Sequence, residues 1–203
     1  MIDIDRSSPI WTLTINRPDK AGALTEQMLI DLRDAVHAAK DAAAVILTGT
    51  GSVFSAGADL DAARAGLATS PLWEELSGAI ADLRGLSIAA LNGTVAGGAT
   101  GMVLACDIRI AVPAAKFFYP VMKLGYLPQP SDPVRMAALI GPARTKMIFL
   151  GGQKITAATA FNFGLVDEIV EAETVVERAR ALCADIAAAP PQTARAIKSL
   201  CNQ

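Results

Sequence analysis

Apolar positions along the chain fall into short clusters whose period switches between two and about 3.6, with small or polar residues at each switch. Ile2 to Ile4 alternate, and Ile10 to Asn16 concentrate apolar residues, with Ser7-Ser8-Pro9 between them; this predicts an opening hairpin. Thr25 then caps a helix to about Lys40, with Met28, Leu29, Leu32, Ala35, Val36 and Ala39 on its inner face and Glu26, Arg33 and Asp34 off it. A strand at Ala44-Thr48, helical spacing over Leu72-Arg84, a strand at Ile88-Leu91, a small-residue helix at Gly98-Ala105 and a strand at Asp107-Ala111 follow. That β-α-β order predicts parallel strands, right-handed crossovers and turns gathered at one end of a sheet. The remainder reads as helices at Ser131-Ile140, Ala143-Leu150, Thr156-Phe163, Thr174-Ala188 and Pro191-Cys201, with no internal repeat and no low-complexity linker.

Two of the turns stand out because they lack bulky side chains. Val53-Phe54-Ser55-Ala56-Gly57-Ala58-Asp59-Leu60 follows one strand, and Asn92-Gly93-Thr94-Val95-Ala96-Gly97-Gly98-Ala99-Thr100-Gly101 follows another. Main-chain N–H groups of Ala58 and Gly98 converging at strand ends would form an oxyanion hole, and small residues there would let a carbonyl oxygen approach closely. On glycine content alone, a tight turn that lets helix and strand pack closely explains the second segment as well. A phosphate loop is excluded, because Ala99 stands where the phosphate-binding Lys is needed.

The length of 203 residues and 52% hydrophobic content fit one α/β domain with a sizeable core. A net charge of −2 without clustered Lys and Arg disfavours a nucleic-acid surface. Cys106, Cys183 and Cys201 are odd in number and widely spaced, and His37 is the single histidine, so neither a disulfide framework nor a metal site is indicated. The acidic start Met1-Ile2-Asp3-Ile4-Asp5 lacks signal-peptide character, and the expected compartment is the cytoplasm. Gly85 to Cys106 carries no charge, but its glycines and polar residues favour a buried strand, turn and helix over a membrane span.

Few side chains offer acid-base or nucleophilic chemistry. Val53 breaks the Gly-x-Ser-x-Gly pattern at Ser55, and His37 lies on the amphipathic helix with no triad around it, so a serine hydrolase is disfavoured. Asp132, after the turn Tyr126-Leu127-Pro128-Gln129-Pro130, has two readings: an acid or base, or a first-turn carboxylate that caps the helix starting at Ser131. Tyr119 and Tyr126 read as ligand contacts or as buried tyrosines with a satisfied hydroxyl, and Glu74 and Glu75 as N-terminal helix carboxylates.

These segments, taken in order with Asn16-Arg17-Pro18, Ala23-Leu24, Cys106-Asp107-Ile108-Arg109-Ile110-Ala111, Leu124-Gly125-Tyr126-Leu127-Pro128, Ile140-Gly141 and Gly164-Leu165-Val166-Asp167, resemble the crotonase family, also called enoyl-CoA hydratase/isomerase. The resemblance spans nearly the whole chain. It implies an α/β fold with a ββα spiral core over about 1–140 and a helical region over about 141–203, shortened at the C-terminus, with Pro191-Gln203 as the remnant of further helices. It implies an acyl-CoA thioester as partner, coenzyme A being part of the substrate rather than a cofactor, and a homotrimer or dimer of trimers, with no nucleic acid or membrane. Its implied substrate contacts are Lys20, Gly22, Ser55, Ala56, Asp59, Leu60, Gly97, Gly101, Pro120, Val121, Leu124 and Tyr126, with Lys20 and Arg17 either near the CoA phosphates or simply solvated, and catalysis at Ala58, Gly98 and Asp132, the last lying near, but not in register with, an acidic residue of some relatives. The two glutamates that serve the family's hydratases fall, by register, at Gly101 and Val121, which cannot transfer protons. The expectation is therefore thioester polarisation with isomerisation or another enolate proton transfer in preference to hydration, the alternative being an acyl-CoA carrier without catalysis.

Overall fold

The computed structural model describes residues 1–201. An antiparallel pair, β1 (Ile2–Asp5) and β2 (Ile10–Ile15), leads into α1 (Glu26–Ala38), where the Thr25 hydroxyl accepts from the Met28 N–H. Three rounds of one ordering follow. The first is β3 (Ala44–Gly49), β4 (Val53–Ser55), α2 (Leu60–Arg64) and α3 (Leu72–Ala81). The second is β5 (Leu86–Leu91), β6 (Thr94–Ala96) and α4 (Ala99–Ala105), and the third is β7 (Ile108–Ala111), β8 (Lys116–Phe118) and α5 (Val121–Leu124). The chain continues through α6 (Ser131–Ile140), α7 (Pro142–Phe149), β9 (Ile155–Thr156), α8 (Ala157–Phe163), β10 (Glu168–Ile169), α9 (Val175–Leu182), α10 (Ala184–Ala188) and α11 (Pro191–Cys201).

The first strand of each round enters a six-stranded sheet of order β1-β2-β3-β5-β7-β10, and the second enters a four-stranded sheet of order β4-β6-β8-β9. Pairing is parallel except for β1 with β2 and β8 with β9. Each round therefore steps from one sheet to the other before its helix returns, which makes the ββα spiral.

Asn92 holds the step. Its side-chain oxygen accepts from Gly49 N–H at 3.0 Å, and its amide donates to Gly51 O at 2.9 Å and Val53 O at 3.3 Å, so one side chain serves the corner between β3 and β4 from the corner between β5 and β6. Gly93 beside it leaves no room for a side chain, because a Cβ would lie 2.0 Å from Ser52 O.

The central strands β3 and β5 are apolar and buried along most of their length, and every residue of α4 is buried. Such all-round burial makes α4 a core element, which explains its uniformly small and apolar sequence. At the far edge Arg109, 3% exposed, donates to Asp167 Oδ2 at 3.0 Å, Leu165 O at 2.9 Å and Cys106 O at 2.7 Å. It thereby ties the Cys106-Ala111 segment to the Gly164-Asp167 segment, two stretches that sequence comparison could only place in order.

Several boundaries differ from the periodicity. The helix expected over Thr174-Ala188 is two helices, broken at the buried Cys183, whose N–H turns to Arg180 O in a tighter three-residue bond. The helix expected to Arg84 ends at Ala81. Strands β4, β6 and β8 span three residues each, too few to display a period, so the second sheet came only from the family resemblance. The uncharged stretch 85–106 becomes β5, a turn, β6 and α4, and among the described residues no helix is long and apolar enough to cross a membrane. Within the Pro191-Gln203 stretch, Asn202 and Gln203 lie outside the described residues.

Candidate active site

Parallel pairing of β4 with β6 sets the two small-residue turns side by side. Ala58 forms a parallel bridge to Leu24, in which Leu24 N–H donates to Gly57 O at 2.8 Å and Asp59 N–H donates to Leu24 O at 2.8 Å. That pattern uses the neighbours of Ala58 and turns its own N–H toward the opposite edge. The opposite edge is the other turn: a Cβ on Gly57 would lie 2.9 Å from Ala96 O and 3.5 Å from Gly98 N. Gly57 (φ +89°) and Gly97 (φ +57°) supply the left-handed conformations that let the backbones approach so closely. Among the described residues, neither the Ala58 N–H nor the Gly98 N–H has a hydrogen-bond acceptor, and both residues are only partly buried. Behind Gly98 lies the Trp73 ring, 2.9 Å from where a Cβ would stand, itself fixed by its indole N–H donating to Leu67 O at 2.8 Å.

Gly101 is three residues beyond Gly98, and so about 4.5 Å further along the helix axis on the same face of α4. Against it sits Asp132, whose Oδ1 would be 2.7 Å from a Gly101 Cβ. Asp132 is 0% exposed, its Oδ2 accepts from the Tyr119 hydroxyl at 2.9 Å, and among the described residues its Oδ1 has no partner. Burial pushes its carboxyl up to about 7; the Glu74 charge adds to the rise, while the Tyr119 hydrogen bond and Arg135 oppose it. Burial and the Asp132 charge push the Tyr119 hydroxyl well above its ordinary value, so it stays a donor. The capping reading of Asp132 is thereby corrected: its side chain turns inward to Tyr119, and the α6 start is served by Glu74, which accepts from Ser131 N–H at 3.3 Å and Ser131 Oγ at 3.0 Å. Glu74 is thus not a simple first-turn carboxylate of α3, whereas Glu75 pairs with Arg33 at 2.8 Å.

The remaining expected contacts fall into distinct places. Ser55 is fully buried, with its hydroxyl donating to Gly22 O at 2.8 Å and accepting from Gly57 N–H at 3.1 Å, so its side chain shapes the turn and does not face a ligand. Asp59 caps α2 through Asp61 and Ala62 N–H, and Arg17 at 2.9 Å holds its carboxyl below the usual range. Arg17 also donates to Ala23 O, so it braces the loop and is not free for a phosphate, whereas Lys20 is exposed and, among the described residues, has no ion-pair partner. Gly22 is buried against Phe54 O; Ala56 and Leu60 are exposed, and Gly97 is partly buried.

Val121 and Tyr126 share an apolar cleft of about 390 Å³ with Leu127, Pro133 and Phe149, Pro133 being the residue after Asp132 in the chain. Pro120 is half-buried at the start of α5, and Leu124 is exposed at its end. A larger cavity of about 730 Å³ lies elsewhere, between α11 and the far ends of α4 and α6. Size therefore does not single out the candidate site, which is marked instead by the two N–H groups and the buried carboxyl oxygen that find no acceptor or donor among the described residues. Sequence reasoning missed the Trp73 backing, the Asn92 corner and the Tyr119–Asp132 bond; only Asn92-Gly93, a turn dipeptide, carried a local signal.

A ββα spiral of this kind, here with two adjoining turns between its sheets and helices, is the crotonase class of fold. The sequence pattern described as Enoyl-CoA hydratase/isomerase matches residues 5–203. A Mycobacterium bovis protein described as a probable enoyl-CoA hydratase is 32% identical over 98% of this chain and 80% of its own length. A crotonyl-CoA hydratase of Syntrophomonas wolfei is 31% identical over 100% of this chain and 81% of its own. The crystal structure of an enoyl-CoA hydratase from Bacillus anthracis superimposes with a TM-score of 0.91 at 30% identity, covering 100% of this chain and 82% of that one. The chain belongs to the enoyl-CoA hydratase/isomerase family.

Proposed function

We propose that this protein binds an acyl-CoA thioester with its carbonyl oxygen on the Ala58 and Gly98 N–H groups and catalyses proton transfer through an enolate, with isomerisation preferred over hydration. The observation that carries this reading is the pair of unpartnered N–H groups on adjoining turns, with the Asp132 carboxyl one helical turn further along α4. The two donors stabilise the oxygen on which negative charge develops. Asp132 removes a carbon-bound proton, the freed electron pair moves into the enolate, and the same carboxyl returns the proton to a different carbon. One base suffices for that sequence, since the proton leaves and comes back. Hydration also needs a group that positions and activates water, and Gly101 and Val121 offer none. A carboxyl titrating near 7 is suited to both halves of such a transfer at neutral pH.

The complete burial of Asp132 favours a second reading, a binding or carrier protein in which the carboxyl never meets substrate. Incubation with a panel of enoyl-CoAs, alongside direct binding of the same compounds, separates the two. Conversion that Asp132→Ala abolishes while binding persists supports the enzyme; tight binding without conversion supports the carrier.

The cleft lined by Val121, Tyr126 and Phe149 offers an apolar place for the acyl group, and Lys20, exposed and without an ion-pair partner among the described residues, a cation for a CoA phosphate. Association into trimers fits the exposed Leu127, Val134 and Leu150; a monomer by light scattering at micromolar concentration would contradict it. Free thiols at Cys106, Cys183 and Cys201 fit the cytoplasm.

A further inference from the structure

We infer that Tyr119 is the positioning residue of this site: its hydroxyl fixes the Asp132 carboxyl so that the transferred proton enters and leaves at Oδ1, and the missing side chain at Gly101 leaves the room in which that buried oxygen sits. The inference rests on the proposed catalytic reading of Asp132 and adds which oxygen acts and what holds it there.

Both oxygens of a carboxylate accept, and a buried one ordinarily finds partners for both. Here Oδ2 is taken by Tyr119 at 2.9 Å and Oδ1 has no partner among the described residues. Because the tyrosine proton already occupies Oδ2, a proton arriving from a substrate carbon belongs on Oδ1, and the tyrosine keeps its own proton throughout. The donor cannot drift: the Tyr119 ring is 4% exposed, packs on Phe149 with centroids 4.9 Å apart, and sits between the last residue of β8 and Pro120. Any Cβ at position 101 would stand 2.7 Å from Oδ1 and 3.1 Å from Oδ2, so the carboxyl occupies its place only because residue 101 is glycine.

The charged and titratable groups facing Asp132 are Glu74 from α3, Arg135 from α6 and Tyr119 itself, while α4 contributes none. Of these only Tyr119 donates a hydrogen bond to the carboxyl.

The test is Tyr119→Phe, compared with Asp132→Asn, using enoyl-CoA conversion and the infrared carbonyl band of the protonated Asp132 carboxyl followed against pH. Since the hydroxyl favours the ionised carboxylate, its removal shifts the Asp132 titration to higher pH. We expect kcat to fall roughly ten- to a hundredfold with KM within about twofold, the signature of a lost alignment. A second measurement leaves the packing intact: 3-fluorotyrosine incorporated in a Tyr126→Phe background strengthens the donor and shifts the same titration to lower pH. If neither substitution moves the Asp132 titration or kcat while Asp132→Asn is inactive, the positioning role is wrong and the catalytic reading survives. If Asp132→Asn converts enoyl-CoA as well as the wild type, the catalytic reading itself fails, whatever the titrations show.

Discussion

The two halves of the candidate site are built by opposite means. The proposed oxyanion half is all main chain: strand pairing of β4 with β6, the Leu24 bridge and the Trp73 backing fix two N–H groups, and no side chain there is assigned to the chemistry. The proposed acid-base half is a single side chain held in the core by another, Asp132 on Tyr119, at a position cleared by a glycine. Main-chain donors are tolerant of side-chain change as long as the turns keep their shape. The carboxyl is not, because it exists only through a three-way fit of α4, α6 and the end of β8.

The largest effect that separates the halves is expected from Asp132→Asn. It removes the only base assigned to the reaction, so kcat should fall by about 10²- to 10⁴-fold, while acyl-CoA binding stays near wild type because the donors are untouched. Titration calorimetry with a non-reactive acyl-CoA, run beside turnover, checks both. Gly98→Pro strikes the other half by deleting one donor, and its Cβ also presses on the Trp73 ring, so it is compared in protein shown to be folded. Loss of one such donor costs about 10²- to 10³-fold in kcat, and the nearby Asp132 titration should be left in place.

Stability against pH distinguishes the halves without any ligand. The Asp132 pKa is raised from its ordinary 3.8 to about 7, so the native state binds the proton more tightly than the unfolded chain. The stability this supplies is complete below about pH 4 and is lost as pH rises toward 7. Chemical denaturation should therefore show Asp132→Asn gaining on the wild type by up to a few kcal/mol between those limits, and level above them. A difference that is flat with pH would mean the carboxyl is ionised and well solvated. The smallest effect is expected from Val121→Glu, which adds one carboxylate with no partner at Gly101 and should leave hydration of enoyl-CoA near background; a rise to ordinary enzyme turnover would refute the single-base account.

The same contrast explains what the sequence revealed. Turns at strand ends need glycine and alanine where backbones touch, so Gly57, Ala58, Gly97 and Gly98 announce the paired turns locally, and the ordered family segments announced the spiral. Asp132 was ambiguous because Ser131-Asp132-Pro133 has the residues of a helix start, and at the start of a helix an aspartate ordinarily caps. Its inward turn is decided by Gly101 and Tyr119, far away in sequence, and by Glu74 reaching across to serve the helix start instead. The short strands of the second sheet and the break at Cys183 were invisible for a related reason: three residues show no period, and a buried helix break keeps apolar spacing on both sides.

The central claim, that a thioester carbonyl sits on the Ala58 and Gly98 N–H groups, is tested most directly by the carbonyl stretching band of a bound acyl-CoA, compared with free ligand at matched occupancy in folded protein. Two donors on the oxygen should shift the band to lower frequency in the wild type, leave that shift in place in Asp132→Asn, and weaken it in Gly98→Pro. No shift in the wild type, or a full shift in Gly98→Pro, would contradict the assignment even if CoA binding itself were tight.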